Sequence, residues 1–546
     1  MPPLLRHIPG NRSAVLFLAA TWALVATASP PDLPTKRLDF RNGEPTVLVG
    51  LVVGSSEVRF SPRGRMRVHV RTPLDKTVEA PAQGEWRVRI LDGKPGQSLQ
   101  SLQLAELPFD DSEGFERARK EWQGRGLAVR ATTVGAVYGI SGKVIDNRKR
   151  LLLSSDRTDE AAAKRKQTEL LQRFGVRTSL FAEVTRPASG VLELLDPSGN
   201  STALGQDHLQ AQTLDGAGFD VRHVEYGVGY DFHNFADRSY RGTLDFTVGP
   251  DGKLTLVNAV TLEELLKGLV PSEIFARAPV EALKSQAVTA RGEILAKVGT
   301  KHLDAPFFLC SEQHCAVYKG RSGEAPSTNA AVDATRGEAL FDSHGRLVDS
   351  VYSAVCGGHT ESNENVWGGP PNPSLRGRPD LLEGTLAVSP SEDLKGFLAS
   401  NLPSACQRSR FAQGSRYRWE RRFTADEMNA LLAPMKLGPL RSLAVVSRGV
   451  SGRATVVALG GELSATEVRG ELNIRRLFKM LNSSMFLVYP EKDARGRPTA
   501  WRFEGGGWGH GVGMCQTGAI GRAEAGHSYR AILQHYFSGA TVARIY

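Results

Sequence analysis

The segment Leu269-Val270-Pro271-Ser272-Glu273-Ile274-Phe275 sets one carboxyl group among apolar side chains. Such surroundings disfavour the charged form, so the pKa rises and the acid can hold its proton near neutral pH. A general acid for glycosidic cleavage needs that property. Taken alone, the position also suits an ordinary helix-start glutamate. Lys284 and Arg291 follow, seven residues apart and therefore stacked on one side of a helix. Two cations on a half-apolar shoulder suit a polar cleft that receives a carboxylate or a sugar. Snorkelling from the edge of the core is the plainer alternative.

Further chemistry-bearing residues come in clusters. His302, Cys310, His314 and Cys315 lie within fourteen residues, and two nitrogens with two sulfurs suit tetrahedral Zn²⁺. With all four ligands engaged no position is open to substrate, so the metal is expected to be structural. The alternative is a Cys310–Cys315 disulfide beside two surface histidines, with Cys356 and Cys406 as a second candidate pair. Gly505, Gly506, Gly507, Gly509, Gly511 and Gly513 place six glycines in nine residues. That backbone can adopt positive φ and approach a ligand closely, but it lacks the GKS/GKT ending of a phosphate loop. Thiol chemistry by Cys356 or Cys515 with His359 or His510 is a further candidate, although neither pair has a third member to orient it.

Elements must position these groups. Thr261 is placed to cap a short helix that Gly268 and Pro271 are expected to stop. Pro279 opens a longer helix, with Val280, Leu283, Ala287, Ala290 and Ile294 as its core stripe. Upstream, 240–246 and 254–260 read as strands around an Asp251-Gly252 turn. Residues 46–107 alternate as strands do, at Arg65–Arg71 and Trp86–Ile90 for example. Between 111 and 190, helices over 113–122 and 159–174 interleave with strands over 127–133, 137–145, 151–154 and 177–184.

The chain has 546 residues and a formal charge of +10, too long for one ordinary core. Its basic residues are dispersed, without a compact basic block interleaved with aromatics, so nucleic acid is the weaker partner. Arg6, His7 and Arg12 precede an apolar run from Ala14 to Ala26, and Ala26-Thr27-Ala28 closes a secretory signal peptide over residues 1–28. Export to the periplasm or to the cell wall and medium is therefore expected, with membrane contact only if this segment stays uncleaved. Five cysteines cannot all pair internally.

Three ordered blocks resemble the SpoIID/LytB family. One is Leu265–Glu273 continuing into Glu281–Arg291, one is Tyr352–Thr360 with Val366-Trp367-Gly368, and one is Gly507–Ala519 running to His535-Tyr536-Phe537. The resemblance implies a peptidoglycan lytic transglycosylase that prefers peptide-stripped glycan strands. Glu273 would be its single acid and then base, closing the MurNAc 6-hydroxyl onto C1 to leave a 1,6-anhydro end. It further implies Lys284, Arg291, Tyr352, Ser353, His359, His510 and Gln516 as substrate-side residues, and it supports a zinc on His302, Cys310, His314 and Cys315. Family members usually carry Ser where Cys515 stands. No cofactor is expected for catalysis. The other branch of the family implies a catalytically silent wall binder that enhances an N-acetylmuramoyl-L-alanine amidase, which would then be its partner. The expected architecture is multidomain α+β: signal 1–28, a strand-rich region 29–110, an α+β unit 111–190 resembling SPOR domains, and a SpoIID-type domain of mixed helix and antiparallel strand over 191–546, its motifs within 240–546.

Overall fold

The computed structural model describes residues 38–546, apart from 73–75, 175, 177, 229–231, 313, 314 and 401. The expected signal peptide lies outside the described residues. Among the described residues, no helix is long and apolar enough to cross a membrane.

Helices and mostly antiparallel sheets share the chain, an α+β architecture. The largest sheet places Glu44–Ser55 beside Leu254–Thr261, then Thr243–Val248, His208–Thr213, Met66–Val70 and Lys76–Ala80. A six-stranded sheet runs Ser201–Gln206, Ser189–Leu195, Trp86–Lys94, Glu57–Pro62, Phe219–Tyr226, Asn234–Tyr240. One apolar core that includes Phe60, Val88, Leu194, Phe246 and Leu256 joins both sheets to the helices that carry Leu266, Leu283 and Ile294.

These pairings depart from a serial order of domains. Residues 44–94 build the same two sheets as residues 189–261, so among the described residues they do not form a unit of their own. The unit in between is an insertion, because Lys94 pairs with Ser189 across a ladder and Gln97 with Arg186 across the next. Its first strand, Gln97–Pro108, belongs to it although the sequence reading left that stretch outside. Four antiparallel strands, in the order Ser179–Arg186, Gln97–Pro108, Lys149–Ser154, Val129–Val134, meet helices Ser112–Gly124 and Glu160–Phe174. That is the split βαββαβ arrangement, closed over Leu102, Phe115, Trp122, Leu152 and Leu170.

Two helices carry the first motif block. The helix Leu262–Glu273 does not stop at Gly268, since Pro271 lies inside it. A proline in the last turn costs only one backbone bond, which packing of Leu265, Leu266, Leu269 and Val270 outweighs. The helix Val280–Lys297 packs against the helices Leu262–Glu273, Pro326–Ala334, Gln516–Glu524 and Tyr529–Tyr536. It is buried on almost every side, polar Ser285, Gln286 and Thr289 included, so it has no amphipathic stripe. Val280, expected in the core, is 52% exposed. Toward the C-terminus, three-stranded sheets over residues 418–506 and 440–469 enclose Phe423, Phe478, Trp501 and Phe503.

Candidate active site

Glu273 is the last residue of its helix and keeps partial exposure. Its carboxyl is raised to about 7, chiefly by burial and secondly by the charge of Glu293, while the Val317 N–H, Lys297 and the Tyr352 hydroxyl oppose the rise. A helix C-terminus disfavours an anion as well. Glu293 comes from the long helix, and its Oε1 lies 2.5 Å from Lys297 Nζ one turn on. Burial pushes Glu293 up against the pull of Lys297. Burial works against the Lys297 cation too, but Glu293 and Asp349 outweigh it and hold its pKa high. Burial, and after it the charges of Glu273 and Glu293, push the Tyr352 phenol well above its usual range, so it stays neutral beside the two carboxyls.

The other motif blocks close around this group. Tyr352–Ser353 runs parallel to Met514–Cys515, Tyr352 opposite Met514 and Ser353 opposite Cys515. Glycine makes the approach feasible: Gly513 has φ +71°, and a Cβ there would sit 2.1 Å from the Val351 carbonyl oxygen. Gln516 then donates from Nε2 to the main-chain carbonyl of Glu273 at 2.8 Å and to Gln286 Oε1 at 3.1 Å. His510 Nδ1 accepts from the Val512 N–H at 3.1 Å. Burial, with Arg453 and Arg475 behind it, drives the His510 pKa down to about 3, so the ring is neutral. Trp367, 55% exposed, lies against that ring at 5.1 Å.

The family pattern described as Stage II sporulation protein matches residues 250–341, the span of Glu273, Glu293 and Lys297. A domain of unknown function, DUF8618, matches 361–513. The amidase enhancer of Bacillus subtilis is 26% identical over 415 residues, 72% of this chain and 57% of its own length. Stage II sporulation protein D of Bacillus amyloliquefaciens is 25% identical over 310 residues, 53% of this chain and 75% of its own. Residues 250–341 thus carry a SpoIID-type domain, and the chain is similar to proteins of the SpoIID/LytB family. An uncharacterised protein of Brachyspira hyodysenteriae is also similar, 29% identical over 307 residues, which is 56% of this chain and 72% of that one.

Within this SpoIID-like chain, several expected site residues lie elsewhere. Arg291 is 0% exposed, gripped by Glu263 through Nε at 2.8 Å and Nη2 at 2.7 Å and bound to the Glu338 carbonyl at 2.8 Å. A guanidinium so enclosed braces the core and does not reach a solute, which corrects its placement as a substrate contact. Lys284 turns to Glu281 at 2.8 Å and over the Tyr529 ring, so the two cations do not act together. His359 is buried, its Nδ1 2.7 Å from the Thr360 carbonyl, and burial lowers its pKa. Ser353 is buried, and its hydroxyl has no partner among the described residues. Cys356 and Cys515 are at 0% exposure, which removes them as nucleophiles for an external substrate. Cys356 and Cys406 are not joined; their Sγ atoms stand 3.6 Å apart.

Ligand atoms of His302, Cys310 and Cys315 converge within 4.8 Å, with His302 Nε2 3.0 Å from Cys315 Sγ. His314, the fourth expected ligand, lies outside the described residues. Reading the sequence missed Glu293 and Lys297. An i,i+4 Glu–Lys pair normally marks a solvated helix face, so its spacing gave no sign of a buried role.

Proposed function

We propose that this chain is a peptidoglycan lytic transglycosylase acting on peptide-stripped glycan strands, with Glu273 as acid and then base. The observation that carries this reading is the Glu273 carboxyl, partly exposed and raised to about 7 where all three motif blocks meet. Half-protonated near neutral pH, it gives its proton to the oxygen leaving MurNAc C1. As the carboxylate it takes the proton of the sugar's own 6-hydroxyl while that oxygen closes onto C1. No water has to be directed, so one working carboxyl suffices. Glu293 is tied to Lys297 and adds, after burial, to the rise of the Glu273 pKa.

The three converging donors His302, Cys310 and Cys315 fit a soft divalent ion, so a structural zinc is part of this reading. The inserted unit over residues 97–186 is read as a SPOR-like glycan-binding unit. The chain is read as exported, working in the periplasm or cell wall.

The amidase-enhancer reading has one observation in its favour: the relative of that name aligns with 72% of this chain. Peptide-stripped sacculi digested by wild type and by Glu273→Gln separate the two. Glycan release by wild type alone supports the transglycosylase. No release, with equal stimulation of an added amidase by both proteins, establishes the enhancer.

A further inference from the structure

A second group of donors lies behind the active-site strands, apart from His302, Cys310 and Cys315. Cys356 follows the strand Tyr352–Ser353, Cys406 lies in the short helix Ala405–Arg408, Cys515 ends the strand Met514–Cys515, and Asp380 comes from the segment between. All four are buried, and one ligand atom from each lies within 4.8 Å of the others. Cys356 Sγ is 3.6 Å from Cys406 Sγ and 3.2 Å from Asp380 Oδ2. A tetrahedral ion bound at about 2.3 Å from sulfur sets its sulfurs about 3.8 Å apart, with sulfur to oxygen slightly less. The observed spacing is close to both edges.

Main-chain donors converge on one of the sulfurs. Cys515 caps the helix Gln516–Glu524 and its Sγ accepts the Gly518 N–H at 3.3 Å; it also accepts the Cys356 N–H at 3.1 Å. A helix N-terminus and main-chain N–H donors favour an anionic sulfur. The carboxylate is oriented from behind, as ligating carboxylates are. Its Oδ1 accepts from Arg522 Nη2 and from the Tyr536 hydroxyl, both at 2.9 Å, which turns Oδ2 to the sulfurs.

We propose that Cys356, Cys406, Cys515 and Asp380 form a tetrahedral site for a structural divalent ion of the zinc class. Binding releases the three thiol protons, and the Arg522 guanidinium offsets part of the remaining negative charge. The ion clasps four chain segments. Two of them are the strands that carry Tyr352 and lead into Gln516, so the site braces the active centre without touching substrate.

The test measures zinc in full-length Cys310→Ser/Cys315→Ser, which lacks two donors of the first cluster, and again after adding Cys406→Ser. The double variant is expected to keep one zinc per chain and the triple variant to lose it. A folded double variant without zinc, zinc unchanged in the triple variant, or a disulfide between any two of Cys356, Cys406 and Cys515 found by mass spectrometry would overturn the proposal. If the triple variant does not fold, cobalt(II) exchanged into the double variant decides. Thiolate-to-cobalt charge-transfer absorption supports the site, and its absence from the folded, cobalt-exposed chain rejects it.

Discussion

Gln516 Nε2 donates to the main-chain carbonyl of Glu273 at 2.8 Å, across 243 positions of sequence. The bond ties the Gly-rich block to the last turn of the helix that presents the acid. A carbonyl at a helix C-terminus has no partner within the helix, so Gln516 both satisfies it and fixes where the carboxyl points. Gln516→Ala is expected to lower kcat by roughly 10- to 100-fold, as a small misplacement of a catalytic group does, while Tm falls little. Steady-state kinetics on peptide-stripped glycan checks this. Unchanged kcat would remove the positioning role.

The pH profile follows from the two charges flanking Glu273. The acid works protonated and its pKa is about 7, so activity should fall as pH rises through that value. Glu293 raises this pKa and Lys297 lowers it. Glu293→Gln should therefore move the alkaline limb to lower pH, and Lys297→Met should move it higher. Rate–pH curves of both variants read the signs directly, and shifts in the same direction would contradict the assignment.

Arg291 gives a stability prediction. Removing it leaves Glu263 buried and 3% exposed on its side chain without its cation, a loss worth roughly 3–5 kcal/mol. Arg291→Ala should lower the unfolding free energy by that order in a denaturant titration. A stable variant with a raised KM would instead restore Arg291 to the substrate.

What the sequence disclosed follows the range of its signals. Glu273, Tyr352 and Gln516 were legible because each sits in a short block of distinctive residues. Glu293 and Lys297 were not, since a charged pair one turn apart looks the same on a wet face and in a buried centre. Arg291 was placed on a helix side correctly, but its Glu263 partner lies 28 positions back and no periodicity reveals it. The strands over 44–94 seemed a domain of their own because the pairing of Lys94 with Ser189 spans the whole inserted unit. Cys356, Cys406, Cys515 and Asp380 carry no ligand spacing at all, being brought together only by tertiary structure.

The central claim is that Glu273 closes a sugar hydroxyl, and not water, onto C1. Mass spectrometry of the ends made from peptide-stripped glycan strands tests it most directly, with Glu273→Gln alongside. The account predicts 1,6-anhydro ends, lighter than reducing ends by one water, and a loss of roughly 10²–10⁴-fold in their formation by the variant. Reducing ends from the wild type, or anhydro ends undiminished in Glu273→Gln, would contradict it.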